Sequence, residues 1–574
     1  MNSMEKVRIA RQLDKAPLVL KNARIVNVFT GLVETGDIAI GEDRILGIGD
    51  YAGLEEVDLS GKYVCPGFID GHVHIESSML TPPEFSRIIV PKGTTAIVAD
   101  PHEIANVKGL EGIRFLMSSA HTTPLDVFMM IPSCVPATEF ETSGARITPA
   151  DVRKIRDVKN VIGLGEVMNY PGVLEGDPAL HEKIAIMIDR RVDGHAPGLS
   201  GPDLNAYAAT GIKTDHECTT KEELEERIAR GMYVLLREGS HTQNVRELIR
   251  GVTEMNHRRC VFCTDDKHPE DILKEGHINH NVNLAIEAGL SPILAIRMAT
   301  MNAAECYGLR GYGSIAPGYF ADLLVFSDLN HIDPERVYKK GVLVAENGKA
   351  LFEAVPYVNG FVTETVRIKQ KKIRLDLSLS QPRVRVIDLI PNNATTGHGL
   401  ASVKIENGKY VNDPKSDILK LAVVERHKHT GNVGLGLVRG YGLQGGAVAM
   451  TIAHDSHNLI VIGDNDEDMR LAIAEIVRIN GGIVIVKDHR VADFLPLEVG
   501  GIMTVAKAET VMEKLNAMDA IARSMGVKPI HEDPFLSLAF LSLPVIPALK
   551  LTDRGLFDVA KFAFVSIEAP EEGQ

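Results

Sequence analysis

The sequence predicts an α/β protein: a (β/α)8, TIM-like barrel, a flanking β-sandwich built from the chain on both sides of the barrel segment, and a C-terminal α/β (α+β) domain. Three observations carry that expectation. Eight short apolar runs alternate with amphipathic stretches through the middle of the chain, strand-rich segments bracket this middle, and 574 residues exceed what one hydrophobic core supports.

The amino-terminal stretch LVLKNARIVNVFTGLVETGDIAIGEDRILGIG is rich in β-branched residues with Gly and Asp turn signals, so it reads as short antiparallel strands, with no helix before Val64. A matching stretch returns as GYGSIAPGYFADLLVFSD and VYKKGVLVAENGKALFE, with turns at Pro317-Gly318 and Asn347-Gly348. Residues 1–66 and 309–370 are therefore expected to share one sandwich. Between them, strands are expected at 64–69, 95–99, 127–131, 161–165, 192–194, 212–215, 233–236 and 261–264. Helical patterns such as TKEELEERIARG fill the gaps, the rhythm of repeated βα units, which places a barrel over 67–308. Residues 371–574 open with a basic strand-like linker and then show their own alternation, a further domain by length.

Composition narrows the function. With 45% hydrophobic and 24% charged residues the chain is globular rather than disordered. A formal net charge of −14 without any basic stripe argues against nucleic acid as a partner. No stretch approaches the ~20 apolar residues of a membrane span, and no leader-like apolar region opens the chain, so a cytoplasmic protein with no membrane contact is expected. Six scattered cysteines suit a reducing compartment, and the C-x-x-C of Cys260 and Cys263 reads as buried strand rather than a zinc or redox site. Oligomeric state is left open, a homo-oligomer included.

The chemistry gathers at strand ends. In GFIDGHVHIESS, His72 and His74 stand two apart at the end of the first barrel strand, and in extended chain i and i+2 share a face, so both imidazoles can reach one cation. Glu166 ends the fourth strand, His195 follows the fifth, His216 ends the sixth and Asp265 ends the eighth. All fall on the carboxyl-terminal face, where barrel enzymes place their sites. Imidazoles with two carboxylates and no thiolate suit zinc, iron or manganese. The ligands exceed one tetrahedral site, whereas two metals sharing a carboxylate use them all and leave room for a bridging hydroxide. Hydrolysis at an sp² carbon is the natural chemistry.

This pattern, H-V-H on strand one, an acid on four, His on five and six and Asp on eight, resembles the amidohydrolase superfamily over about residues 17–365. Within it, PGFIDGHVHIESSM, VADPHEIANVKG, GLGEVMNYPGV, DGHAPGLSG, TDHE and CTDDKHPEDI, with the extra C-terminal domain, are similar to the prokaryotic adenine deaminase family over nearly the whole chain. The resemblance implies hydrolytic deamination of adenine to hypoxanthine and ammonia, with water as co-substrate and a binuclear centre of manganese or iron, zinc being the other candidate. It also places Glu166 where many relatives carry a carboxylated lysine.

Roles follow. One metal is expected on His72, His74 and Asp265, the second on His195 and His216, with Glu166 bridging; Asp265 is the expected proton shuttle. Asp266 is expected to point to the opposite side if the strand persists. Asp100, His102 and Glu103 follow strand two, as substrate or metal contacts, or as a helix N-cap and first-turn acid. Glu217 is a further candidate acid, and Ser240 and His241 are candidates to line the pocket. His277 and His280 read as a solvated helix face. Gly440, Gly442 and Gly445 have G-x-G-x-x-G spacing but no helix is expected to follow, so a dinucleotide site is rejected. His454, Asp455 and His457 either cap the barrel mouth, support an interface or form a buried hydrogen-bonded turn. The rival readings are hydrolysis of a cyclic amide or another exocyclic amine, and a non-catalytic barrel scaffold, which six intact ligand positions disfavour.

Overall fold

The computed structural model describes residues 1–391 and 393–570; position 392 and the final four residues of the domain expected over 371–574 lie outside them. A helix, Ser3–Ala10, opens the chain where no helix was expected. It buries only Ile9 and is held by a capping box between Asn2 and Glu5, so it has no apolar stripe for periodicity to register.

Both flanks of the barrel segment meet in one nine-stranded sheet. Its strands are β1 (Ala16–Asn27), β2 (Leu32–Gly41), β3 (Arg44–Gly49), β4 (Gly53–Asp58) and β5 (Tyr63–Pro66) from the amino-terminal side. The barrel strands come next in the chain: β6 (Phe68–Val73), β7 (Thr94–Ala99), β8 (Asp126–Ile131), β9 (Val161–Val167), β10 (Arg191–Gly194), β11 (Thr214–Asp215), β12 (Tyr233–Arg237) and β13 (Cys260–Cys263). The sheet is then completed by β14 (Leu323–Phe326), β15 (Arg336–Lys339), β16 (Val342–Glu346) and β17 (Lys349–Ala350). The seam is β5, parallel to β1 and antiparallel to β14, with Cys65 opposite Leu324. Asn347 and Gly348, at φ 49° and 74°, make the tight turn from β16 to β17.

The eight barrel strands are all parallel. Ladders join β6 through β10 and β11 through β13. The gaps are closed by Lys213 N–H donating to Val192 C=O at 3.1 Å and by Asp265 N–H donating to His72 C=O at 2.9 Å. Alternate residues fall in separate buried clusters: Ile69, Val98, Met130, Leu235 and Cys263 in one, Ile97, Met129, Val234, Cys260 and Phe262 in another. That is the inside–outside alternation of a barrel wall. Cys260 and Cys263 thus face opposite ways, and all six cysteines are free and buried.

The first ten carboxyl-terminal strands are β18 (Arg383–Leu389), β19 (Thr396–Ser402), β20 (Lys404–Glu406), β21 (Lys409–Val411), β22 (Ile418–Val424), β23 (Val433–Arg439), β24 (Gly446–Met450), β25 (Leu459–Gly463), β26 (Gly482–Lys487) and β27 (Arg490–Pro496). Of these ten, all but the β20–β21 hairpin form one eight-stranded sheet, ordered β19-β18-β23-β22-β25-β24-β26-β27, and the last three strands, β28 (Leu549–Thr552), β29 (Gly555–Asp558) and β30 (Ala563–Phe564), form a separate sheet. After the Gly440–Gly445 loop the chain runs strand, turn, strand, so no helix N-terminus is there to receive a dinucleotide phosphate. Among the described residues no helix is long and apolar enough to cross a membrane.

Candidate active site

The strand ends bring the six expected groups together. His72 and His74 Nε2 lie 3.1 Å apart, and Asp265 Oδ1 is 3.3 and 3.1 Å from them. Glu166 Oε1 lies 3.4 Å from His74 Nε2, and its Oε2 lies 2.6 Å from His195 Nδ1 and 3.3 Å from His216 Nε2. His72 stacks on His216, centroids 4.2 Å apart. Burial pushes the His72 imidazole down to about 4, so the neutral ring keeps one nitrogen lone pair free. Against the same burial penalty, His195 and the other imidazoles hold Glu166 well below the usual carboxylate range, and Arg237 does so for Asp265.

This donor set fits cations. Three triads, His72–His74–Glu166, His72–His216–Asp265 and Glu166–His195–His216, each hold their ligand atoms within 4.8 Å of one another. Imidazole nitrogens and carboxylate oxygens, both metal-ligand types, converge there. Two more acceptors beside Glu166, His102 Nδ1 and Asp100 Oδ1, are buried without a hydrogen-bond partner, which is costly unless an ion or water serves them.

Backbone geometry decides the finer placement. β13 ends at Cys263 and Asp265 adopts φ 59°, so strand alternation stops before the two aspartates. Asp266 therefore does not point to the opposite side: its carboxylate lies with His74 and Asp265, accepts from Ser77 Oγ, and lines the cavity at the barrel mouth. Asp100 is not a helix cap either. The following helix, His102–Ala120, has no side-chain cap, and Asp100 Oδ2 instead accepts from Glu166 N–H at 2.8 Å while its carbonyl meets His74 Nδ1 at 2.9 Å. Gly165 leaves room for this, since a Cβ there would stand 2.2 Å from Asp100 Oδ2.

Around the six sit the other candidates. His102 Nδ1 is 3.4 Å from Glu166 Oε1, and its Nε2 is 3.3 Å from Glu103 Oε1. Glu217 lies 3.5 Å from His195 and 3.4 Å from His216. Both Glu217 and Asp265 are gripped by Arg237 at the end of β12, through Nη1 at 2.6 and 2.7 Å. Sequence reasoning passed over Arg237 because it sought ligands; its place at a strand's carboxyl end was the available signal. Ser240 and His241 line the cavity with Glu76, Ser77, Glu103 and Asp266.

The HDSHN turn reaches across from the C-terminal domain. His454 Nδ1 meets Glu103 Oε1 at 2.7 Å, His457 Nε2 bonds Glu103 Oε2, and Ala453 N–H donates to His457 Nδ1 at 3.2 Å. It is at once a hydrogen-bonded turn and a cap on the barrel mouth. His277 is not on a solvated face: the helix begins at Ile278, which leaves His277 fully buried at its N-cap, 2.8 Å from Thr94 Oγ1, while His280 is half-buried near Glu275.

A parallel barrel carrying these ligand types at its strand ends is the arrangement of an amidohydrolase, and residues 63–351 match the amidohydrolase family model. Residues 393–563 match the adenine deaminase C-terminal domain. The chain is 49% identical over 562 residues to adenine deaminase 2 of Carboxydothermus hydrogenoformans, covering 98% of each chain. It is 46% identical over 571 residues to the adenine deaminase of Geobacillus kaustophilus (98% of each) and 47% over 566 to that of Clostridium acetobutylicum (98% of this chain, 99% of that one). The chain belongs to the adenine deaminase family.

Proposed function

We propose that this protein converts adenine and water to hypoxanthine and ammonia, using two divalent ions. The observation that carries the reading is the convergence of four imidazoles and two carboxylates, which meet through Asp266 a cavity whose walls offer further acids and imidazoles. His72, His74 and Asp265 would hold one ion, His195 and His216 the second, and Glu166 would bridge them. Bound there, the ions would lower the pKa of water and supply a nucleophile near neutral pH. Manganese or iron suits this nitrogen and oxygen set, with zinc the alternative.

The chain's own groups do the rest. Asp265 Oδ1 faces the imidazoles while Arg237 pins Oδ2, so one oxygen is placed to take the proton of the attacking water and deliver it to the departing amine. Asp266, which burial pushes above its ordinary value, is placed as a second proton carrier toward ring N1. The buried walls exclude bulk water, which strengthens each of these interactions. Reduced, buried cysteines support a cytoplasmic location.

Metal analysis of the purified protein, with ammonia release from adenine followed before and after chelation and on manganese addition, tests the reading. Two ions per chain, loss of turnover on chelation and recovery with manganese are expected. Failure of the metal-loaded protein to release ammonia from adenine, or full activity in Glu166→Ala, would overturn it.

A further inference from the structure

The cavity that Asp266 shares with the ligand cluster is lined on one side by the C-terminal domain. Ile452, His454, Ile502, Leu536 and Phe540 line it opposite the barrel residues. His454 and Phe540 stack almost parallel, centroids 4.5 Å apart and planes 9° apart, so the imidazole is held in one plane. Its Nδ1 is committed to Glu103, which leaves Nε2 as the ring's edge toward the cavity.

The group of Glu103, His454 and His457 has the spacing of a cation site, with its ligand atoms within 4.8 Å of one another. The hydrogen count argues otherwise. Ala453 N–H donates into His457 Nδ1, so the ring hydrogen of a neutral His457 sits on Nε2 and points at Glu103. A metal ligand needs that nitrogen's lone pair free and its other nitrogen donating. The arrangement is instead a buried carboxylate accepting from imidazoles. Buried charge calls for a counter-charge close by; with His457 neutral it falls to His454, whose Nδ1 contacts Glu103 directly and which then keeps a hydrogen on both nitrogens.

Resting on the deaminase reading, we propose that the C-terminal domain completes the purine pocket: His454 donates from Nε2 to a purine ring nitrogen on the edge away from the ligands, N3 or N7, with Phe540 fixing the plane of the donor. Glu103 acts through His454, orienting it from the barrel. The purine is thereby gripped between two domains, its reacting carbon toward the barrel and an acceptor nitrogen toward the roof.

The test uses manganese-loaded protein and three ligands: adenine, 3-deazaadenine and 7-deazaadenine, each deaza compound lacking one acceptor. Turnover is measured for adenine, and affinity is measured for all three by competition. The wild type is expected to bind one of the two analogues about 10- to 100-fold more weakly than adenine, the worth of a charge-assisted hydrogen bond. His454→Leu is expected to abolish that ratio, and His454→Gln, which keeps an N–H near the Nε2 position, to restore part of it. Phe540→Leu, which frees the plane of the donor, is expected to reduce that ratio. A purely structural His454 would lower every affinity together and leave the ratio intact, which would overturn the proposal. Should His454→Leu not fold, the wild type decides alone, because equal affinity for adenine and both analogues overturns it too. Ammonia release with an unchanged ratio removes only the role of His454; no ammonia release removes the deaminase reading itself.

Discussion

Arg237 is a buried cation held between two carboxylates, the buried Asp265 and the partly buried Glu217. Deleting one partner of such a group leaves charge without compensation, which costs far more than the group is worth intact. Arg237→Gln is expected to lower kcat/KM for adenine about 100-fold and to lower the metal retained through Asp265; steady-state kinetics with metal analysis checks both. Glu141 titrates the opposite way. It is buried close to Asp455 and Asp553, and burial pushes its carboxyl well above the usual value. The native state therefore keeps a proton that the unfolded chain releases above about pH 4.3, so this group's contribution to stability falls as pH rises from there through the native pKa. Glu141→Gln mimics the protonated form. Its urea midpoint relative to the wild type is expected to rise between pH 5 and pH 8; a difference that stays constant or falls would refute this.

At the scale of elements, strand β9 works by what it lacks. Gly165 lets Asp100 lie against the strand and take Glu166 N–H, so the carboxylate is aimed by a side chain from another strand end. Gly165→Ala is expected to keep the fold but to cut kcat about 100-fold by displacing Glu166, the scale of a 1 Å error in a reacting group; turnover against a far-ultraviolet spectrum separates the two. The barrel strands are legible in the sequence because each is a short apolar run with a fixed period, and the ligands are legible because strand ends and i, i+2 spacing are local facts. Four features are not legible, for physical reasons. The Ser3–Ala10 helix rests on caps, Asp266 is turned by a left-handed residue before it, His277 is buried by a helix that starts one residue later than its spacing suggests, and His454 meets Glu103 across a separation of 351 residues. Only the folded chain brings that last pair within reach.

The whole molecule is stitched rather than strung. One buried apolar cluster runs from Phe85 and Ile97 in the barrel to Ile387, Ile460 and Leu551 in the C-terminal domain. Polar ties cross the same border, with Asp553 accepting from Thr142 at 2.8 and 2.7 Å and Glu84 accepting from Ala508 N–H at 2.7 Å. Barrel and C-terminal domain are therefore expected to unfold in one calorimetric transition; two separated transitions would show them to be independent. The pairing of β5 with β14 has a different consequence. Pro66 and Leu323 are neighbours in one sheet, yet the entire barrel lies between them in the chain. On the ribosome, the β5 edge stays without its partner while some 250 further residues are translated, at roughly 5–20 residues per second. For that interval the nascent chain offers other strands a bare edge, and only the arrival of Leu323–Phe326 withdraws it.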